Sequence, residues 1–183
     1  MKYSGFFTGA LLVFAASMAG AQVAQADTII NLAGTLNGAQ DHVSTPWVGS
    51  ATATLNETTD LFSWNVGYTV SDIATYGTPI MAHFHVGPPG VDGPIVITLA
   101  DNSMMTPVVA IPTSFIGSQI VTGSQASEIA AGDWYVNVHT TVYPAGIIRG
   151  QLSPTPEPAS LALLGGGLGL VAFSRLRRRQ RKA

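Results

Sequence analysis

The sequence predicts an all-β fold, an antiparallel Greek-key sandwich or barrel, with a signal peptide before it and a membrane helix after it. Three observations support this prediction. Apolar and polar residues alternate with a period of two through the middle of the chain. Stretches rich in Gly and Pro, such as residues 87–93, separate the alternating segments. Long apolar runs lie near both ends, which divides the chain into residues 1–26, 27–153 and 154–183.

The clearest alternation covers residues 62–71, where Phe62, Trp64 and Val66 share one face and polar residues occupy the other. Residues 50–55 alternate in the same way, and the polar turn between the two segments predicts a β-hairpin. Many short strands at this spacing are typical of a sandwich or a Greek-key barrel. Further strands are predicted at Ile29–Leu36, 80–86, 94–100, 108–111, Trp134–Thr140 and 147–152, and a short helical turn is predicted at 124–131.

Residues 1–26 have the composition of a secretory signal peptide. Lys2 precedes an apolar run at residues 6–19, and small residues then lead to Ala24 and Ala26. A basic start, an apolar run and an A-x-A site in this order are what signal peptidase recognises. We expect cleavage to leave Asp27 as the first residue and the remainder to be exported across the inner membrane.

Residues 154–183 have three parts in a fixed order. Pro156, Glu157 and Pro158 form a linker, an apolar run follows at residues 159–173, and a cluster of basic residues comes last. Because such a basic cluster stays cytoplasmic, residues 27–153 would lie on the far side of the membrane. This tail resembles the PEP-CTERM sorting signal of Gram-negative bacteria. The resemblance implies processing by an exosortase-type protease at the cell surface, in association with exopolysaccharide; a plain C-terminal anchor is the alternative.

The segment between the two ends is strongly acidic. It contains nine of the ten acidic residues but only one of the eight basic residues, Arg149, which gives it a net charge of −8. Such a segment lacks the basic patch that nucleic-acid binding requires. The chain also has no cysteine, which excludes disulfide bonds and thiol chemistry. Cations and neutral or basic polymers are the expected partners.

Five short motifs mark the middle of the chain, and two of them contain histidine. They are LNGAQ at 36–40, AHFHVGP at 82–88, GPIV at 93–96, WYVNVHT at 134–140 and GIIRGQL at 146–152. These motifs resemble those of the CHRD domain, a family named after chordin and widespread in exported bacterial proteins. The resemblance covers residues 30–152 and implies a β-rich domain outside the cytoplasm, without a defined chemistry.

The three histidines in those motifs are candidate metal ligands. His83 and His85 are two residues apart on a predicted strand, so both side chains point to the same face. His139 lies on the polar face of another predicted strand, and the three imidazoles would converge if the strands are neighbours. Imidazole suits both Zn²⁺ and Cu²⁺, and Asp92 or Asp133 could supply a fourth ligand. In the alternative interpretation, the histidines are solvated or fix the 87–93 loop through hydrogen bonds.

Other residues give weaker signals. Trp47 lies in a predicted loop and is a candidate for contact with a glycan. Trp64 and Trp134 fall on apolar strand faces, so we expect them in the core. Arg149 is expected to form a salt bridge with one of the acids, and His42 is expected at the surface.

Three functions are consistent with these patterns. The first is a non-enzymatic binding or structural module at the cell surface, since no hydrolase signature such as G-x-S-x-G or H-E-x-x-H is present. The second is a metal-binding domain that holds Zn or Cu. The third and weakest is a module that binds another exported protein through a sheet edge.

Overall fold

The computed structural model describes residues 27–156, which form a sandwich of two antiparallel β-sheets. The elements are β1 (Ile29–Leu36), β2 (Gly49–Asn56), β3 (Leu61–Tyr68), α1 (Ile73–Tyr76), β4 (Pro79–Val86), β5 (Ile95–Asp101), β6 (Ser114–Ile120), α2 (Gly123–Ala131), β7 (Trp134–Thr140), β8 (Ile148–Gln151) and β9 (Ser153–Pro154). One sheet has the strand order β6-β3-β2-β1-β9 and the other has β5-β4-β7-β8. The predicted all-β fold is confirmed in this part of the chain.

The hairpin of β2 and β3 forms as the alternation predicts. The side-chain oxygen of Asn56 accepts hydrogen bonds from the backbone of Thr58 at 2.9 Å and of Thr59 at 3.1 Å. Asx turns of this kind satisfy backbone donors that would otherwise be left without partners. The turn sets the register, so that Phe62 pairs with Leu55 and both point into the core.

The two sheets pack through a cluster of aromatic side chains. Phe62 of β3 meets the rings of Phe84 on β4 and Trp134 on β7 edge-on, with 5.3 and 5.4 Å between ring centroids. All three side chains are fully buried. Edge-to-face contacts are the favoured aromatic geometry. The cluster therefore fixes β4 and β7, which are neighbours in the four-stranded sheet, against the five-stranded sheet.

The sheets also meet along one side, where the end of β1 approaches β8. The backbones of Asn37 and Arg149 exchange two hydrogen bonds, of 3.1 and 2.9 Å. This pairing places Arg149 beside the segment that follows β1. Within that segment, Asp41 lies close to Gly146 and to Asn137 on the outer face of the four-stranded sheet.

The strand predicted at residues 108–111 is wrong. Residues 108–111 do not form a strand; they lie between Pro107 and Pro112, and the side chain of Asn102 donates to the carbonyl of Val109 at 3.2 Å. Of this run, only Ile111 enters the core. The prolines on either side lack the N–H donors that a strand ladder needs.

Three elements were not predicted from the sequence: β6, β9 and α1. The predicted helical turn is a nine-residue helix, α2, with a capping box at its start.

Several predictions fall on the ends of the chain. The signal peptide with Ala24 and Ala26, the apolar C-terminal run, and the sorting residues Glu157 and Pro158 lie outside the described residues. Within residues 27–156, no helix is long and apolar enough to cross a membrane.

Candidate metal site

The two strands that carry the histidines are adjacent, which is the condition for the three imidazoles to converge. β4 and β7 pair antiparallel, with His83 opposite Asn137 and His85 opposite Tyr135. His139 lies one pair further along the same face, opposite Met81. The residues between them on both strands point into the sandwich core, so the three imidazoles share the outer face of the four-stranded sheet.

The three imidazoles are close together. The ring centroid of His83 lies 5.2 Å from that of His139 and 5.6 Å from that of His85. The centroids of His85 and His139 are 5.9 Å apart. One ring nitrogen of each histidine lies within 4.8 Å of the corresponding nitrogens of the other two. A Zn–N bond of about 2.0–2.1 Å places ligand nitrogens roughly 3.4 Å apart, so small rotations of the rings would close the group around an ion.

The outer face is buried at this point, contrary to the solvated alternative. His83, His85 and His139 are exposed by only 3%, 8% and 6%. Loop carbonyls contact two of the rings: Nδ1 of His85 is 2.9 Å from the oxygen of Gly93, and Nδ1 of His139 is 3.0 Å from the oxygen of Pro144. The loops after β4 and β7 therefore close over the histidines.

These hydrogen bonds determine which nitrogens remain free. A carbonyl oxygen can only accept, so Nδ1 of His85 and of His139 carries the proton and Nε2 has the lone pair. Both Nε2 atoms are buried without a hydrogen-bond partner, and so is Nδ1 of His83. Buried polar atoms are almost always paired. Three unpaired nitrogens on three adjacent rings are what a metal site requires, and carbonyls that hold the opposite nitrogens are its usual support.

Burial also keeps the rings neutral. It lowers the pKa of His83 and of His85, and it lowers the pKa of His139 to about 4. The charges of the neighbouring histidines act in the same direction on His83 and His139. At neutral pH all three rings are uncharged, and their lone pairs are available without the loss of a proton.

A stack of two side chains adjoins the triad. The ring of Tyr135 lies parallel to that of His85, with 5.0 Å between centroids and 8° between planes. The guanidinium carbon of Arg149 is 3.3 Å from the centroid of the Tyr135 ring. Arg149 is fully buried and donates to the carbonyls of Pro88 and Val91 in the loop that follows β4. This stack was not predicted from the sequence, although Tyr135 alternates with the core residues of β7.

The predicted fourth ligands do not join the histidines. Asp92 instead accepts from Arg149 at 3.1 Å, which confirms the expected salt bridge, and its side chain is 93% exposed. The backbone carbonyl of Asp133 accepts from Gly87. Among the described histidines and acids, the ligand group around this face consists of His83, His85 and His139 alone.

The prediction for Trp47 also needs correction. Its side chain is fully buried, stacks near Tyr68 and donates through Nε1 to the carbonyl of Ser71. A ring that is buried on both faces offers no platform to a sugar. Trp134 lies in the core and His42 is exposed, as expected, whereas Trp64 is only partly buried.

An unpaired carboxyl group lies beside the site. Oδ2 of Asp41 is buried without a hydrogen-bond partner, close to the amide of Asn137. Burial raises the pKa of Asp41 to about 6, although the positive charge of Arg149 acts in the opposite direction. The folded protein therefore binds this proton more tightly than the unfolded chain, and stability from this group falls as pH rises from about 4 to about 6.

Replacing Asp41 with Asn is expected to stabilise the protein at pH 7 by about 1 kcal/mol, after allowance for solvent screening of a partly exposed carboxylate. At pH 4 the effect should nearly disappear, because the carboxyl is then protonated when folded. Urea unfolding of both proteins at the two pH values measures this. The exposed Glu57→Gln is the control and should change stability equally little at both; an Asp41→Asn gain that does not depend on pH would contradict the burial argument.

Comparison with known proteins adds the family. The CHRD domain family matches residues 32–152, which include both strands that carry the histidines. No curated protein and no solved structure gives a significant match.

Proposed function

This chain belongs to the CHRD domain family, and we propose that it is an exported binding module whose sandwich holds a transition-metal ion through His83, His85 and His139. The observation that carries the proposal is the convergence of three buried imidazoles, each with one ring nitrogen within 4.8 Å of the others and each with one ring nitrogen that has no hydrogen-bond partner. Imidazole nitrogens of this kind bind Zn²⁺ or Cu²⁺. With three protein ligands, one coordination position remains for water, for a further side chain or for a bound molecule.

The proposed location rests on the two ends of the chain. The order of the apolar runs, the A-x-A site and the Pro156-Glu157-Pro158 linker supports export, sorting by an exosortase-type protease and residence at the cell surface. An acidic domain without cysteine is compatible with the cell surface. There it would associate with exopolysaccharide or with another exported protein. The metal site and this location are independent parts of the proposal.

Metal titration tests the central part. We expect the full chain, purified in mild detergent without a histidine tag, to bind one equivalent of Zn²⁺ or Cu²⁺ by calorimetry. His139→Gln should weaken binding by at least ~100-fold, since even loss of a supporting group costs 10–100-fold in affinity. The matched control is His42→Gln, because His42 is exposed and does not belong to the group. Binding well below one equivalent, or equal binding by the two variants, would overturn the proposal.

A further inference from the structure

The charge around the triad favours an ion of low charge. The three ligands are neutral, and no carboxylate belongs to the group among the described residues. The one buried cation nearby is Arg149, which lies on Tyr135 next to His85. Its counterion Asp92 is exposed and therefore screened by water. The repulsion between a guanidinium and a metal ion doubles when the ion carries two charges instead of one.

The acids nearest to the group offset only part of this repulsion. Asp101 lies near His83 but is exposed, so solvent screens its charge. Asp41 lies close to Asn137 and Gly146, and its charge also acts on Arg149. No carboxylate among the described residues belongs to the ligand group, so each additional charge on the ion raises the cost of holding it in this buried site. A monovalent ion would carry less of this penalty.

A soft ligand lies beside the histidines. Met81 precedes His83 by two residues on β4 and shares its face of the sheet. It is the direct partner of His139 on β7, and directly opposed side chains have their Cβ atoms about 5 Å apart. The Met81 side chain is partly buried, and its three rotatable bonds let the thioether adapt to a neighbour.

Resting on the proposed metal site, we propose that the ion is monovalent copper, held by the three histidines with the thioether of Met81 as the fourth ligand. A soft thioether beside imidazoles favours Cu(I), whereas the usual protein ligands of Zn²⁺ are Cys, His, Asp and Glu. Met81 is then the residue that determines metal specificity, and Arg149 adds to the discrimination through its charge. The site binds the ion as Cu(I), without an electron-transfer step.

Anaerobic competition with a coloured Cu(I) chelator tests this on the full chain in detergent, with ascorbate to keep copper reduced. Met81→Leu should weaken Cu(I) binding by about 10–100-fold and change Zn²⁺ binding by less than about 3-fold, on the scale of other supporting ligands. Met104→Leu is the matched control, because Met104 is 92% exposed in a loop. X-ray absorption of the Cu(I) form should show a sulfur neighbour that Met81→Leu removes.

The outcomes separate the two proposals. If Zn²⁺ binds with one equivalent but Met81→Leu leaves Cu(I) binding and the absorption spectrum unchanged, the metal site stands and the copper assignment is overturned. If neither ion binds the triad, both are overturned. Selective loss of Cu(I) binding and of the sulfur signal supports both.

Discussion

Replacing Arg149 with Met is expected to destabilise the protein by about 3 kcal/mol at pH 7. The buried guanidinium donates to the carbonyl of Pro88 at 3.2 Å and to that of Val91 at 2.9 Å. Methionine fills much of the volume but donates neither hydrogen bond, and a hydrogen bond from a charged group contributes about 1.5–3 kcal/mol. The carbonyl of Pro88 keeps the backbone N–H of Val91 as a donor, so its loss costs less than that of Val91. The contact with the Tyr135 ring is lost as well. Removal of the buried charge offsets part of this cost.

Urea unfolding of the full chain in detergent measures the loss, and Asp92→Asn is its control. Asp92 is the ionic partner of Arg149, yet its side chain is 93% exposed, so its removal should have only a small effect. The two variants break the same ion pair, and a large difference between them would show that Arg149 stabilises the loop mainly through the carbonyls. Equal losses would contradict this account, since the ion pair alone would then carry the stability.

Arg149 also supports the position of one histidine of the triad. The loop that Arg149 holds also provides Gly93, whose carbonyl orients His85 through Nδ1. Gly93 in turn donates its backbone N–H to the hydroxyl of Tyr135 at 3.0 Å. Arg149 thus stabilises the side of the site from which one ligand is oriented.

The sequence predicted the strands of the site well because their alternation is unambiguous. Ala82 and Phe84 point into the core while His83 and His85 point away, and β7 alternates with the same period. Alternation shows which residues share a face but not what covers that face. The loops after β4 and β7 close over the histidines through backbone carbonyls, which carry no residue-specific signal. The burial of the three histidines therefore could not be predicted from the sequence and is seen only in the structure.

Strand β6 could not be predicted from alternation, for a physical reason. β6 lies at the edge of its sheet, and large apolar residues such as Ile116 and Ile120 are 79% and 70% exposed there. The apolar residues of β6 therefore do not alternate between a buried and an exposed face, which is the pattern that predicts a strand. Trp47 was misassigned for the opposite reason: it lies outside any strand, yet the chain carries it into the core beside Tyr68. Periodicity cannot place a side chain that belongs to no regular element.

Replacing Phe84 with Ala is expected to cost about 3–5 kcal/mol in stability, the usual range for a buried phenylalanine. Phe84 is fully buried between His83 and His85 in sequence and packs on Phe62 and Trp64 at 5.3 and 5.5 Å. Its ring keeps the backbone of β4 against the core, so its loss should let the strand shift. Because ligand positions must be held to within about 0.5 Å, we also expect metal affinity to fall about 10-fold.

Phe62→Ala is the matched control for this prediction. Phe62 is equally buried in the same aromatic cluster, so its removal should cost a similar amount of stability. It packs on Phe84 and Trp134 from β3 in the opposite sheet, but unlike Phe84 it is not part of a strand that carries a ligand. Calorimetric titration at a temperature where both variants remain folded should show near-normal affinity for Phe62→Ala and weakened affinity for Phe84→Ala. Equal affinities would mean that the loop carbonyls alone position the histidines, whereas a difference shows that the core sets the geometry of the site through β4.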